Sequence, residues 1–154
     1  MVCMGNICRS PTAQGVLESM LLESSLAGLV EVDSAGTHAY HLGSAPDLRA
    51  QHAAAARGID LSRQRARRIA AEDFERYDYI IAMDQHNLED LLAKCPTEQL
   101  RSRVRLLMDF APGIDVRDVP DPYYGGRLGF ERVLDLIDEA ARGLFAYLER
   151  EHSK

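Results

Sequence analysis

The stretch that decides the fold opens the chain and reads Met1-Val2-Cys3-Met4-Gly5-Asn6-Ile7-Cys8-Arg9-Ser10-Pro11. The two apolar residues before Cys3 predict the end of a strand. The serine at position 10, followed by a proline, predicts a helix with Ser10 as its N-cap. A strand, a tight turn and a helix in this order are typical of a parallel α/β sheet, in which ligands bind beyond the carboxyl ends of the strands. The turn is therefore the first candidate for a binding site.

The turn has the composition of an anion-binding loop. Gly5 and Asn6 tolerate the left-handed backbone that such a loop needs, and the loop N–H groups converge with the positive end of the helix dipole. The same field stabilises a thiolate at Cys3, while Arg9 adds a planar cation that can bind two phosphate oxygens. These residues predict a nucleophilic cysteine in a phosphate cradle. A buried structural cysteine and a surface salt bridge are the alternatives, which the spacing disfavours.

The rest of the chain alternates between short β-rich runs and longer helical patterns, which predicts one domain over residues 1–154. The predicted fold class is α/β, with a four-stranded parallel twisted sheet and helices on both faces, in a three-layer arrangement of the flavodoxin or Rossmann kind. The patterns predict helices over 11–27, 44–58, 84–94 and 128–150, the third of them capped by Asp84, and strands over 29–32, 77–83 and 104–108. The intervening loop over 109–127 is rich in Gly, Pro and Asp, and a loop of that length is usually functional.

Composition limits the classes of partner. The formal net charge of −6 argues against nucleic acid, because phosphate backbones need a basic surface. The sequence has no segment typical of a transmembrane helix and no signal peptide at its start, so we expect no membrane insertion and a cytoplasmic location. Secretion without a signal peptide stays open. Three cysteines do not make a disulfide framework, and a monomer is the default oligomeric state.

Several segments together resemble the low-molecular-weight protein tyrosine phosphatases. The loop looks like that family's signature, and its Gly-Asn pair, second cysteine and Arg-Ser-Pro ending make the likeness specific. Further segments follow in the family's order, namely Asp33-Ser34-Ala35-Gly36-Thr37, Gly58-Ile59-Asp60-Leu61-Ser62, Met83-Asp84 and Asp121-Pro122-Tyr123-Tyr124. The resemblance covers essentially the whole chain. It implies a phosphotyrosine phosphatase that uses no metal and no cofactor.

The resemblance also implies a role for each residue around the loop. Cys3 attacks phosphorus to give a phosphocysteine intermediate, Arg9 clamps the phosphate, and Asp121 acts as general acid and then as general base. Asp118 lies nearby, either as a decoy or as a second carboxylate that acts on Asp121. The predicted phosphate loop and its support comprise Met4, Gly5, Asn6, Ile7, Cys8, Ser10 and Ser34, and the resemblance implies a hydrogen bond between Asn6 and Ser34.

Aromatic residues are predicted to form the walls of the substrate pocket. By resemblance, Tyr123 and Tyr40 sandwich the aromatic ring of the substrate, and Tyr124 stands beside the general acid. Met4 and His41 match rim positions at which family members differ in substrate preference. For Tyr40, a residue packed on the protein surface is the alternative interpretation.

Two residues near the loop have open interpretations. Cys8 either forms a protective disulfide with oxidised Cys3 or packs as a small apolar residue beneath the loop. A zinc site is a weak third reading, because the four ligands that it needs are missing. Gln64 stands where many family members carry a histidine that supports the loop. Glutamine both donates and accepts, so we expect it to conserve that contact without a titrating group.

The strand before Cys3 is unusually short. The family has several more apolar residues there, which form a central strand, whereas this sequence has two residues. Either the strand is shortened or the natural chain starts further upstream, and we favour the upstream start. The intact mass of native material tests this hypothesis.

Three other functions compete with phosphotyrosine hydrolysis. Related phosphoarginine phosphatases carry threonine at the position of Ile7, and arsenate reductases of this fold need two further cysteines, which Cys95 alone cannot supply. A non-catalytic phosphate-binding module would need Arg9 but neither Cys3 nor Asp121. The sequence therefore predicts a tyrosine phosphatase. Its predicted partner is a phosphotyrosine-containing protein, with a bacterial tyrosine kinase as one candidate.

Overall fold

The computed structural model describes residues 1–123 and 126–152. These residues form one sheet of four parallel strands in the order β2-β1-β3-β4. In the chain order the strands are β1 (Val2–Cys3), β2 (Ala35–Gly36), β3 (Ile80–Ala82) and β4 (Val104–Leu106). β1 is central, with Val2 opposite Ala35 on one side and Ala82 on the other. The predicted fold class is confirmed.

Helices cover both faces of this sheet. Within the described ranges they are α1 (Arg9–Leu22), α2 (Leu48–Ala55), α3 (Asp73–Arg76), α4 (Gln85–Lys94) and α5 (Arg127–His152), with short 3₁₀ helices at Gln99–Arg103 and Leu107–Phe110. Helix α5 packs against α1 and α2, and α4 packs against β3 and β4. α5 also approaches the second 3₁₀ helix so closely that a Cβ atom on Gly143 would lie 1.8 Å from the carbonyl oxygen of Phe110. None of these helices combines the length and the apolar character needed to cross a membrane.

The core is divided by the sheet because successive strand residues point to opposite faces. Cys3 and Ile81 belong to the larger cluster, which α1 and α5 cover. Val2 and Ile80 belong to a smaller cluster that includes Leu91 of α4. Burial on both faces explains why the run before Asp84 is apolar without alternation, as is typical of parallel sheets.

The strand predicted over residues 29–32 is wrong, since the second strand is Ala35–Gly36. Leu29 is 74% exposed, and its segment runs past the end of β1 in the sheet. A strand requires a neighbour that offers paired backbone groups, and β1 offers only the two residues opposite Ala35 and Gly36. A groove of about 280 Å³ separates residues 29–33 from residues 77–81, at the end of the sheet opposite to the phosphate loop.

The first helix also begins earlier than predicted. It starts at Arg9, so Ser10 is not its N-cap, and Cys8 takes the cap position without a capping side chain. The first turn is closed by Thr12, whose backbone N–H and hydroxyl both donate to the carbonyl of Cys8 at 3.2 Å and 2.7 Å. The serine hydroxyl is occupied elsewhere in the loop, as described below. By contrast, the predicted cap of α4 by Asp84 is confirmed.

Candidate active site

Cys3 lies at the carboxyl end of β1, where the chain turns into α1. Its sulfur is within 3.0 Å of the hydroxyl of Ser10, and the backbone N–H of Asn6 donates to it at 3.3 Å. Only 3% of the residue is exposed, so it is reached from the pocket side alone. The sulfur thus lies among polar groups at the pocket, which suits a nucleophilic cysteine.

Asn6 is the structural centre of the loop. Its φ of 58° is left-handed, as predicted for this turn. Its Nδ2 donates to the hydroxyls of Ser10 and Ser34, both at 2.9 Å, and its Oδ1 accepts from the backbone N–H of Arg67 at 3.0 Å. The predicted contact with Ser34 is therefore present. One buried amide joins the loop, α1, the segment before β2 and the segment after α2.

The predicted support by Gln64 is also present. The hydroxyl of Ser34 donates to its Oε1 at 3.4 Å, and its Nε2 donates to the carbonyl of Pro11 at 2.9 Å. The side chain accepts and donates at once, which a neutral amide does without titrating. The loop's support is thus independent of pH at this position.

The residues after β2 hold the other side of the loop. The backbone N–H groups of Thr37 and His38 donate to the carbonyls of Cys3 and Met4 at 2.9 Å and 3.0 Å. A Cβ atom on Gly36 would lie 2.7 Å from that Met4 oxygen. The glycine is therefore required by the close approach of the loop backbone, and the loop is fixed by main-chain bonds on this side.

Arg9 is buried, with 3% of the residue exposed, and its side chain extends across the loop. Its Nη1 donates to the carboxylate of Asp84 and to the carbonyl of Val119, the latter at 3.0 Å. Its Nη2 lies 3.7 Å from Oδ2 of Asp121. One end of the guanidinium is thus anchored, while the other is directed toward the predicted general acid.

Asp84 is the residue of this site that sequence reasoning missed. Its role was predicted only as a helix cap, and Oδ1 does accept from the backbone N–H of Asn87 at 2.7 Å. The other carboxylate oxygen accepts from Arg9. The available signal was its place immediately after the buried strand β3, because such positions gather at the ligand-binding edge of the sheet.

Asp121 lines the pocket, with 38% of its side chain exposed. The segment before it is tied to the sheet by the N–H of Val119, which donates to the carbonyl of Met83 at 2.9 Å. Asp118 is directed elsewhere, since its carboxylate accepts from the backbone N–H of Gln85 at 3.0 Å. Asp121 is therefore the carboxylate of this pair that faces Arg9.

The pocket around these groups measures about 280 Å³. Its lining residues are Cys3, Met4, Gly5, Ile7, Cys8, Arg9, Tyr40, His41, Asp121 and Tyr123. The ring opposite Tyr123 is that of His41, at a centroid distance of 6.3 Å and an angle of 42°. Tyr40 is 69% exposed and stacks on His38 at 5.2 Å. Tyr124 lies outside the described residues.

The two cysteines of the loop differ in their surroundings. Both are free, buried thiols, and both line the pocket. Burial, together with the negative charges of Asp47 and Cys3, raises the pKa of Cys8 to about 12. Cys8 is therefore protonated at neutral pH, as expected for a packing residue. Cys95 lies apart from the loop, at the end of α4, where its thiol donates to the carbonyl of Thr97.

An anion-binding loop at the carboxyl edge of a parallel sheet, with a cysteine, an arginine and a carboxylate around one pocket, defines the class of site. The family model described as low molecular weight phosphotyrosine protein phosphatase matches residues 1–154. A Streptomyces coelicolor relative named low molecular weight protein-tyrosine-phosphatase is 43% identical over 148 residues, which span 94% of this chain and 89% of the relative. The chain therefore belongs to the low-molecular-weight phosphotyrosine protein phosphatase family, which confirms the resemblance and the enzyme class.

Solved structures agree in fold over nearly the whole chain. The crystal structure of a protein tyrosine phosphatase from Entamoeba histolytica, with Hepes in its active site, superposes with a TM-score of 0.93 at 40% identity, covering 97% of this chain and 95% of that one. The structure of an arginine phosphatase from Drosophila superposes with a TM-score of 0.85 at 29% identity, covering 96% and 95%. The fold is thus shared by phosphatases named for two different phosphorylated residues.

Proposed function

We propose that this protein hydrolyses phosphotyrosine in proteins through a phosphocysteine intermediate on Cys3. The observation that carries the proposal is the convergence of Cys3, Arg9 and Asp121 on one pocket beyond the carboxyl end of β1. The remaining lining residues supply a loop backbone for the phosphate oxygens and rings for the leaving group. Every step below draws on residues of this chain.

In the first step, the Cys3 thiolate attacks phosphorus in line with the phenolic leaving oxygen. An S–P bond forms, the P–O bond to the tyrosine breaks, and Asp121 gives its proton to the departing oxygen. The backbone N–H groups of the loop and Arg9 bind the three phosphate oxygens, on which negative charge is concentrated. Asp84 orients Arg9 through its anchored end.

In the second step, the same Asp121, now a carboxylate, accepts a proton from a water molecule that attacks the phosphocysteine. A P–O bond forms, the S–P bond breaks, and inorganic phosphate leaves. The Cys3 thiolate is regenerated, with the backbone N–H of Asn6 and the hydroxyl of Ser10 beside it. A thiolate can serve both as the nucleophile of the first step and as the leaving group of the second.

The burial of Cys3, which is 3% exposed, and the rings that line the pocket favour phosphotyrosine over the shorter, ring-free phosphoserine. Rings at the mouth suit an aryl group. The second candidate is phosphoarginine, favoured by the likeness to the Drosophila arginine phosphatase. Ile7, in place of that group's threonine, weighs against it. The partner as a bacterial tyrosine kinase, the monomeric state and the cytoplasmic location remain predictions.

The test is hydrolysis of phosphotyrosine, phosphoarginine and phosphoserine peptides, with EDTA present, by the wild type, Cys3→Ser and Cys95→Ser. We expect the wild type and Cys95→Ser to release phosphate from phosphotyrosine and Cys3→Ser to release none. Mass spectrometry of quenched Asp121→Asn protein should find one phosphoryl group on Cys3. Retained turnover in Cys3→Ser would refute the mechanism. Faster hydrolysis of phosphoarginine than of phosphotyrosine would mean that phosphoarginine is the preferred substrate.

A further inference from the structure

Arg49, in the first turn of α2, lies between two aromatic rings. Its guanidinium carbon is 5.5 Å from the ring centroid of Tyr123 and 4.9 Å from that of Phe130. Phe130 is a buried residue of α5, whereas Tyr123 is a wall of the pocket. Both distances fall within the range of attraction between a cation and an aromatic face. Arg49 thus connects the core to the pocket wall.

The guanidinium is held in place by a carboxylate on the same turn. Asp47 accepts from Nε and Nη2 of Arg49 at 3.1 Å and 2.9 Å, and from its backbone N–H at 2.8 Å. Such a fork fixes the plane of the guanidinium as well as its position. The bond to Arg49 lowers the pKa of Asp47, so the carboxylate stays charged at neutral pH.

This pair is attached directly to the phosphate loop. The backbone N–H of Asp47 donates to the carbonyl of Ile7 at 2.8 Å. On the other side, the backbone N–H of Tyr123 donates to Oδ1 of Asp121 at 3.0 Å. The contacts from Ile7 through Asp47 and Arg49 to Tyr123 therefore run from the loop that binds phosphate to the segment that carries the carboxylate.

We propose that Arg49 is a positioning residue that holds the ring of Tyr123 at a set distance from the phosphate loop and thereby determines the affinity for aromatic phosphate esters. The assignment of the pocket to such esters rests on the proposed function. Arg49 itself is not among the lining residues of the pocket, so it acts through Tyr123. A ring that is already in place loses less conformational freedom on binding, which favours affinity.

The competing interpretation is that Arg49 is only a surface ion pair. The chain offers a matched control for it in Arg57, which follows the same helix. Arg57 is partly exposed and binds the carboxylates of Glu131 and Asp135 on α5 at 3.1 Å and 2.8 Å. It thus also joins the region of α2 to α5 through charge. If surface pairing were the role of Arg49, removal of either arginine should have the same effect.

The test measures binding by calorimetry of two probes, benzylphosphonate, which carries a ring, and methylphosphonate, which does not. We expect Arg49→Met to raise the Kd of benzylphosphonate by about threefold or more, the size typical of a cation–π contact. The Kd of methylphosphonate should change less than about twofold, because the bond between Asp47 and the phosphate loop is made by a backbone N–H that the substitution leaves in place. Arg49→Lys should fall between, since it keeps the charge and loses the fork, and Arg57→Met should match the wild type.

A double mutant tests whether the effect passes through the ring. If it does, Arg49→Met combined with Tyr123→Ala should bind benzylphosphonate no more weakly than Tyr123→Ala alone. Urea unfolding of each variant shows that the fold is retained. The proposal is overturned if Arg49→Met leaves benzylphosphonate binding unchanged, if it weakens both probes equally, or if its effect persists without Tyr123. It is also overturned if the wild type does not prefer the aromatic probe.

These outcomes separate the inference from the proposed function. A wild type that prefers benzylphosphonate through Arg49 but hydrolyses no phosphotyrosine would support the inference and refute the function. If the wild type hydrolyses phosphotyrosine and Arg49→Met binds benzylphosphonate as tightly as the wild type does, the function is supported and the inference is refuted.

Discussion

The floor of the pocket and its rim are built in opposite ways. On the floor, Cys3, Asn6 and Arg9 are each 3% exposed or less, and buried hydrogen bonds from several elements fix them. At the rim, Tyr40 is 69% exposed and Tyr123 is 36% exposed, and ring contacts orient both. The difference indicates that the floor binds the phosphate and carries out the reaction, while the rim selects the group attached to the phosphate. Changes to the floor should therefore affect rate and stability, and changes to the rim should affect affinity.

The largest effect is expected at Asp121, which stands between floor and rim. Asp121→Asn keeps the shape of the side chain but cannot donate a carboxylic proton, so kcat/KM for phenyl phosphate, which reports formation of the phosphocysteine, should fall about 100-fold or more. For an ester with an acidic, easily departing phenol, such as nitrophenyl phosphate, the loss should be smaller. Steady-state kinetics with both esters measure the difference. Asp118→Asn is the control, and an equal loss there would contradict the assignment.

The next effect concerns the support of the floor. Asn6→Ala removes three side-chain hydrogen bonds, two of them buried, and leaves alanine at a left-handed φ. The free energy of unfolding should fall by about 2–4 kcal/mol, and kcat should fall with it. Urea denaturation and kinetics measure both. Asn87→Ala is the matched control, because this asparagine is equally buried but caps α4. It should lose stability with little loss of kcat, and equal kinetic losses would break the comparison.

A smaller effect depends on pH and on Cys8. Its pKa of about 12 in the fold lies above the ordinary value of 9.0, so the unfolded chain loses this proton first as pH rises. The unfolded state then binds fewer protons, and stability should fall above pH 9, by up to about 1.4 kcal/mol per pH unit. Urea midpoints of the wild type and Cys8→Ala at pH 8 and pH 10 test this prediction. The wild type should lose more over that interval, and parallel losses would contradict the burial of the thiol.

The smallest effect is expected at the rim. Tyr40→Ala should change KM for phenyl phosphate by less than about twofold, because its ring stacks on His38 rather than opposite Tyr123. Tyr123→Ala should raise KM several-fold while leaving the free energy of unfolding within about 0.5 kcal/mol of the wild type. Kinetics and urea unfolding of both variants check the ranking. If Tyr40→Ala had the larger effect on KM, Tyr40 rather than His41 would be the second wall.

The sequence could predict the parts of the site that depend on local geometry. The loop from Cys3 to Arg9 is short enough that its residue types constrain its backbone, and the left-handed Asn6 follows from that constraint. The cap of α4 is equally local, because Asp84 meets a backbone N–H three residues away. Each of these interactions is completed within a few residues, so its chemistry can be read from the chain.

The two wrong predictions, the start of α1 and the strand over 29–32, depend on contacts with residues elsewhere in the fold. The start of α1 was misplaced because the hydroxyl of Ser10, a good N-cap by type, is held instead by Asn6 beside the Cys3 sulfur. The strand over 29–32 was predicted from apolar residues, but its existence depends on how far β1 extends beside it. In both places a preference of the local sequence is overridden by a partner elsewhere in the fold.

The fold class, the phosphate loop and the family are therefore predictable from the amino-acid sequence, because these rest on periodicity and on a motif that is contiguous in the chain. Which distant residues meet that loop depends on the three-dimensional fold. Arg9 and Asp84 are 75 positions apart and come together because β1 and β3 are neighbours in the sheet. The same is true of Arg49 and Phe130, which meet because α2 packs against α5. Such contacts cannot be predicted from residue spacing, because the order of strands in the sheet and the packing of helices determine them.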